Sequence, residues 1–351
     1  MRAGSFAQQL IAWHKDHGRH DLPWQGRGVY ATWVSEIMLQ QTQVATVIPY
    51  YQRFVARFPD VAALAAASLD DVLGHWSGLG YYTRARNLHR AARIIADEHG
   101  GAFPEEYERI RALPGIGRST AGAICALAFG QPYAILDGNA KRVLARHFAI
   151  PGWPGEPSTE RTLWQRAQAE VPATEAATYT QALMDLGATT CLRANPRCAC
   201  CPVAAGCAAH RAGRTEDYPA PRPARAVPQK TATWLVCMHG QDVLLEKRPP
   251  SGLWGGMWGF PEGFGDAREA ARTLLGRHPD AVESLPQITH AFTHFRLLAS
   301  PVRLEYAQQP KLAGEGRWVW LSLLEMDAAP LPKPVRSLLE ILRSRHASAH
   351  S

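Results

Sequence analysis

Apolar positions recur at helical spacing through most of the first 210 residues and then give way to short strand-like runs. Between Ser119 and Phe129, the small or apolar residues Ala121, Ile124, Cys125 and Ala128 fall at i, i+3, i+4 and i+7, which predicts one buried helical face. Ser68-Leu69-Asp70-Asp71 sets a hydroxyl three residues before a carboxylate, a helix-start pattern. The texture breaks over residues 211–230, where prolines stand at 219, 221, 223 and 228 among five Lys or Arg and no apolar period survives; a linker is expected there. Beyond it, Thr231–His239, Val243–Lys247, Phe292–Tyr306 and Arg317–Leu321 read as strands, and Ala267–Leu275 and Val335–Leu342 as helices. The pattern predicts a multidomain chain, all-α over 1–210 and α+β over 231–345, with no internal repeat.

Composition changes this picture in three ways. A length of 351 residues suits about two domains at roughly 150 residues each. A net charge of +7 points to an acidic partner, of which nucleic acid is the commonest. No apolar run reaches the roughly 18 residues that span a bilayer, and Met1–His17 lacks the apolar core of a signal peptide, so no membrane association is expected. In a reducing compartment the seven cysteines need an explanation other than disulfides.

Four of them, Cys191, Cys198, Cys201 and Cys207, follow the spacing C-x6-C-x2-C-x5-C across residues 191–207. Thiolates so close can enclose zinc or an iron–sulfur cluster. Structural zinc sites usually pair two short C-x2-4-C hairpins, and this loop has one; metal-free thiols are the third reading. Cys200 is an extra thiol in the loop, while Cys125 and Cys237 read as small buried hydrophobes.

Upstream, Leu113-Pro114-Gly115-Ile116-Gly117 separates two helical stretches, and Arg118, Ser119 and Thr120 open the second. Gly115 and Gly117 permit a tight turn whose outward N–H groups, with the helix start behind them, can hold phosphate oxygens. Any helical corner can use such a turn. Asp137 follows Gly117 by 20 residues, in Ile135-Leu136-Asp137-Gly138-Asn139. A second acid, Glu36, lies in Trp33-Val34-Ser35-Glu36-Ile37-Met38-Leu39-Gln40-Gln41-Thr42-Gln43; taken alone it reads as a solvated or capping residue.

The hairpin followed by Asp137 resembles the helix–hairpin–helix DNA glycosylases, and the uneven cysteine spacing resembles the [4Fe–4S] loop of the endonuclease III superfamily. The Glu36 run, Gly78-Leu79-Gly80-Tyr81-Tyr82 and Gln181-Ala182-Leu183-Met184-Asp185-Leu186-Gly187 closely resemble the MutY adenine glycosylases, densely over residues 6–210 and more loosely beyond. The resemblance implies a general acid at Glu36 that protonates adenine at N7 and a carboxylate at Asp137 that stabilises the sugar cation or attacks it transiently. It implies extrusion of the target base, with Gln41 and Tyr81 wedged into the stack and Leu22, Trp24 and Gln181 forming the adenine pocket. Asn139 and Ser119 would orient groups near the sugar, Gly115 and Gly117 would grip the backbone, and Lys141 would contact phosphate. Ordinary packing for Leu22, Trp24 and Tyr81, and solvated polar side chains for the others, are the competing readings. Relatives that also cut the strand carry lysine where this chain has Ser119, so no dedicated lyase chemistry is expected.

Residues 231–345 resemble the MutT-like, Nudix-fold domain that the family carries. Counting the Nudix hydrolase pattern from Gly263 gives Glu269 and then Arg277-His278-Pro279-Asp280-Ala281-Val282, without the magnesium-binding glutamates; a recognition domain is expected. Phe292-Thr293-His294-Phe295 resembles the loop that inspects the base opposite adenine, with Thr293 where serine is common; a plain strand is the alternative. The resemblance thus implies release of adenine opposite 8-oxoguanine or guanine in double-stranded DNA. The protein would be a monomer with one [4Fe–4S] cluster per chain, in a bacterial-type cytoplasm at the nucleoid. Three rivals stand beside it: a thymine or oxidised-pyrimidine glycosylase of the same fold, a Nudix pyrophosphohydrolase, and a catalytically silent DNA-binding module.

Overall fold

The computed structural model describes residues 4–223, 227–249, 252–292, 294–310 and 316–349. The chain divides into two compact units, Met1–Ala66 with Asn87–Ala224, and Ala67–Arg86 with Arg225–Ser351. Twelve helices come first: α1 Phe6–His17, α2 Gly28–Leu39, α3 Val44–Arg57, α4 Val61–Ala66, α5 Leu69–Trp76, α6 Thr83–Glu98, α7 Tyr107–Ala112, α8 Arg118–Phe129, α9 Gly138–His147, α10 Pro157–Glu170, α11 Ala176–Thr189 and α12 Ala208–Arg211.

In the first unit, α1 opens with a capping box in which Ser5 and Gln8 exchange side-chain and backbone bonds. Leu10, Leu136, Leu144, Leu163, Tyr179 and Leu186 form the centre of its core. α8 departs from the one-faced helix its periodicity predicts. Ala121 through Ala126 are all buried and Ala128 only half-buried, because α8 packs between α2 and α11. Residues 211–223, expected to be a linker, are held to this unit: Arg146 Nε donates to the carbonyls of Thr215 and Tyr218, both at 2.9 Å, and Ala220 N to Gly152 O at 3.2 Å.

The second unit is built on an eight-stranded sheet: β1 Gln229–His239, β2 Asp242–Lys247, β3 Trp258–Gly259, β4 Glu262–Gly263, β5 Ala281–Ser284, β6 Ile288–Ala291, β7 Arg296–Glu305 and β8 Trp318–Ser322. Its spine is the order β3-β2-β1-β7-β5. β1 and β7 run parallel in register from Gln229 opposite Arg296 to Met238 opposite Glu305. Helix α13 covers Ala267–Leu275, the span that its periodicity predicts, and α14 covers Lys333–Ala349. The run expected as one strand from Phe292 to Tyr306 is broken: Phe292 N donates to Phe295 O at 2.8 Å, closing a turn between β6 and β7. Segment 67–86 packs here too. Ser68 caps α5 through Asp71 N at 3.1 Å, Lys247 pairs with Asp70, and Ser77 Oγ donates to Leu331 O at 3.2 Å.

Candidate active site

The hairpin forms because its residues alternate between anchors and open positions. Leu113 and Ile116 are 4% and 6% exposed, while Gly115 and Gly117 face solvent. Gly115 sits at φ +83°, where a Cβ would also meet Asn87 at 2.8 Å, so only glycine fits. Gly117 precedes α8 with no side-chain cap, leaving first-turn N–H groups of a 12-residue helix open to an anion. Gln40, just past α2, donates to Thr120 Oγ1 at 3.2 Å and ties the Glu36 helix to the hairpin.

Asp137 is positioned from three sides. Its carboxylate caps α9, accepting Ala140 N at 2.8 Å. Ser119 Oγ accepts Leu136 N at 2.9 Å, which fixes the backbone one residue earlier. Two glycines then force close approach: a Cβ at Gly122 would lie 2.2 Å from Ala134 O, and one at Gly187 would lie 2.5 Å from Asn139 Cβ. Arg142 spans the other end of this segment, donating to Asn139 Oδ1 at 2.9 Å, Gly187 O at 2.6 Å and Cys191 O at 2.7 Å.

The two acids sit at opposite helix ends. Glu36 lies in the last turn of α2, where the dipole is negative, and Asp137 at the N-terminus of α9, where it is positive. Burial pushes Glu36 up to about 8, and the charge of Asp137 adds to the shift. Burial also raises Asp137, but backbone N–H groups of Ala140 and Asn139 pull it back. At neutral pH Glu36 therefore holds its proton, while the backbone N–H groups at Asp137 favour its ionised form against the burial. The pair can supply a proton and a negative charge in one place.

The other expected residues divide into groups. Trp24, 6% exposed, packs edge-on against Tyr51 at 5.3 Å between ring centres. Leu22 is half-buried, and its N–H donates to Gln25 Oε1 at 3.0 Å; Gln181 Nε2 donates to Asp185 Oδ1 at 2.9 Å. Gln41 and Tyr81, in different units, share one feature. Each is exposed on left-handed backbone, at φ +59° and +50°, a costly conformation for a residue with a side chain. Lys141 is not left open to an anion, since its ammonium pairs with Glu160 at 2.6 Å. In the second unit, Tyr81, Arg86, Trp254, His290, Phe292 and Lys333 line one cavity, and Phe292 stacks on Phe295 at 4.5 Å. His294 is exposed, and Thr293 lies outside the described residues.

Cys191, Cys198, Cys201 and Cys207 line one cavity together with Arg146. That guanidinium, on a residue only 3% exposed, donates to Cys191 Sγ at 3.4 Å and to Leu192 and Arg193 carbonyls, so positive charge is built in beside the thiols. Among the described residues no three His, Cys, Asp or Glu side chains are gathered tightly enough for a single metal ion. Four soft thiol donors around one cavity are a donor set that zinc or an iron–sulfur cluster takes. Cys200 is exposed, with its thiol on Arg197 O.

Sequence reasoning gave no role to Arg19, Gly122, Arg142, Arg146 or Asp185. Two carried a local signal: Gly122 is a glycine inside a helical period, and Asp185 lies within the Gln181–Gly187 run.

The HhH-GPD superfamily base excision DNA repair proteins match residues 34–169, and the NUDIX domain family matches residues 232–341. An adenine DNA glycosylase of Buchnera aphidicola subsp. Acyrthosiphon pisum is 36% identical, covering 95% of this chain and 97% of that protein. An adenine DNA glycosylase of Homo sapiens is 34% identical, covering 97% of this chain and 74% of its own length. A thermostable thymine-DNA glycosylase has a similar structure, at 26% identity and TM-score 0.53, over 59% of this chain and 95% of its own.

Proposed function

The chain belongs to the adenine DNA glycosylase family, and from that premise we propose that it hydrolyses the N-glycosidic bond of adenine opposite 8-oxoguanine or guanine in duplex DNA. The observation that carries the reading is the acid pair: Glu36 held protonated to about 8 beside an Asp137 supplied with backbone N–H donors. Glu36 delivers its proton to N7 of the extruded adenine, which makes the base a neutral leaving group. As the bond from the sugar to N9 breaks, Asp137 stabilises positive charge at the sugar. Water then adds to the sugar carbon and gives up a proton that restores the acid pair, leaving free adenine and an abasic site. Leu22, Trp24 and Gln181 hold the base, Gln41 and Tyr81 fill the stack, and the open N–H groups around Gly117 grip phosphate without reading sequence. Position 119 holds a hydroxyl committed to Leu136 N. No amine is supplied there, and the strand stays intact.

Cys191, Cys198, Cys201 and Cys207 hold one [4Fe–4S] cluster, which when bound ties four points of the loop together. Residues of the second unit around Phe292 inspect the opposite base. The test is to incubate the protein with duplexes pairing adenine with 8-oxoguanine, guanine, cytosine and thymine, with and without alkali. Excision confined to the first two and strand breaks dependent on alkali are expected; release of thymine or a pyrimidine instead would overturn the reading.

A further inference from the structure

Asp185 lies in the interior of the first unit, 0% exposed, and its carboxylate is the meeting point of two segments. One oxygen accepts Arg19 Nε at 2.8 Å, Arg19 Nη2 at 2.6 Å and Gln181 Nε2 at 2.9 Å. The other accepts the backbone N–H of Arg19 at 2.8 Å and lies 3.4 Å from His14 Nε2. The Arg19 carbonyl accepts Gln25 Nε2 at 2.8 Å, and Gln25 Oε1 in turn accepts the N–H of Leu22 at 3.0 Å. One buried anion thus fixes both the 19–25 loop and the Gln181 amide.

The chemistry of that amide has a consequence. An ionised carboxylate only accepts hydrogen bonds, so the NH2 end of Gln181 must face Asp185 and Oε1 must face away. A glutamine in a pocket can otherwise flip, offering either a donor or an acceptor to a base. We propose that Asp185 is a specificity-determining positioning residue: by locking the Gln181 amide it presents an acceptor oxygen to the 6-amino group of adenine and refuses a 6-oxo purine. This rests on the reading that Gln181 lines the adenine pocket. A 6-oxo base would set its own oxygen against Oε1, leaving two acceptors unpaired, a mismatch that sites built around hydrogen bonds reject strongly.

The experiment compares single-turnover release of adenine and of hypoxanthine from otherwise identical duplexes. In Asp185→Asn the side chain gains its own NH2, which can bond Gln181 Oε1 and turn the glutamine donor toward the base. The adenine-to-hypoxanthine ratio should fall by about tenfold or more. In Arg19→Lys the loop loses its two-pronged anchor but the carboxylate stays, so both rates should drop together with the ratio kept. Gln181→Leu, which leaves the buried pair in place, should also collapse the ratio, and it decides the matter if Asp185→Asn does not fold. An unchanged ratio in either Gln181→Leu or folded Asp185→Asn overturns the proposal, as does an Arg19→Lys ratio that falls equally. Wild-type protein that releases no adenine would instead sink the function on which it rests.

Discussion

The two units bury polar side chains to different extents. In the helical unit His14, Ser35, Arg146, His147, Thr180 and Asp185 are buried, with Asp185 and Arg146 carrying several hydrogen bonds each. Among the described residues of the sheet unit, Arg84 is buried to a similar degree, and the other charged side chains are more exposed. That core is Leu235, Cys237, Leu244, Ala271 and their neighbours, and its ion pairs, such as Arg317 with Glu246, lie toward the surface. Helix α13 bears one acid, Glu269, engaged by Arg272 at 2.9 Å, and the chain leaves the helix at Gly276. Burying polar groups is costly unless they are paired, and the helical unit accepts that cost around Glu36 and Asp137. The sheet unit is packed on an apolar core, and the residues proposed to read the opposite base lie between its strands. On the proposed function, the unit with the more polar interior carries the chemistry and the other the recognition.

The sharpest way to break this contrast is to remove an acid from each unit. Glu36→Gln keeps the shape and loses the proton, so excision should fall at least about 100-fold with duplex binding retained; Glu269→Gln should leave excision unchanged. Wild-type kcat/KM should decline above pH about 8 as Glu36 ionises. Stability gives an independent reading. Folding raises Glu36 from 4.5 to about 8, so the folded chain binds a proton that the unfolded chain has already released. Its contribution is whole below pH 4.5 and is lost as pH rises to about 8, after which it changes no further. Glu36→Gln should therefore melt several degrees above wild type at pH 8.5, and level with it at pH 4. Equal melting at both values would show that the acid is not held protonated.

The cysteine loop comes next. Purified protein should be yellow-brown, with about four irons per chain. Cys198→Ser should lose that absorbance, whereas Cys200→Ser, altering an exposed thiol, should keep it. Colourless wild type with one zinc would overturn the cluster. Smaller again is a pair of glycine changes. Gly122→Ala sets a methyl 2.2 Å from Ala134 O and should cost about 1–3 kcal/mol and displace Asp137, lowering excision by about tenfold. Gly276→Ala, at φ +71° with nothing nearby, should cost about 1 kcal/mol and leave excision alone. Thermal melts beside single-turnover rates separate the two.

What could be read in advance was what is local. The alternation of Leu113, Gly115, Ile116 and Gly117, the helix over Ala267–Leu275 and the two acids within their motifs all show in a few consecutive residues. The Arg19–Asp185 pair spans 166 residues and leaves no period in either neighbourhood. Nothing in the run 67–86 announces that it packs with the sheet unit, because its partners Lys247 and Leu331 lie far along the chain. Proline density over 211–230 suggested a linker, yet within it the carbonyls of Thr215 and Tyr218 are what a buried arginine needs. Apolar content likewise hid the turn at Phe292, where a hydrogen bond to Phe295 O interrupts the strand.

The smallest expected effect tests the other side of the comparison. If the sheet unit only reads, changing its reader should alter preference rather than chemistry. Phe292 is stacked on Phe295 and packed against Trp254 at 5.5 Å between ring centres. Guanine and 8-oxoguanine differ at C8 and N7, where the oxidised base gains a carbonyl and an N–H donor. A hydroxyl at position 293 can accept from that N–H, and guanine has no such donor. Thr293→Val keeps shape and removes the hydroxyl, so the preference for adenine opposite 8-oxoguanine should shrink by one hydrogen bond, about fivefold or somewhat more. The rate opposite guanine should stay within about twofold, because Glu36 and Asp137 are untouched. Parallel single-turnover rates on the two duplexes provide the measurement. A fall in both rates together would mean that position 293 supports the chemistry, and the separation of roles between the units would fail. An unchanged preference would keep the separation and move the reader elsewhere, with the exposed His294 the next residue to replace.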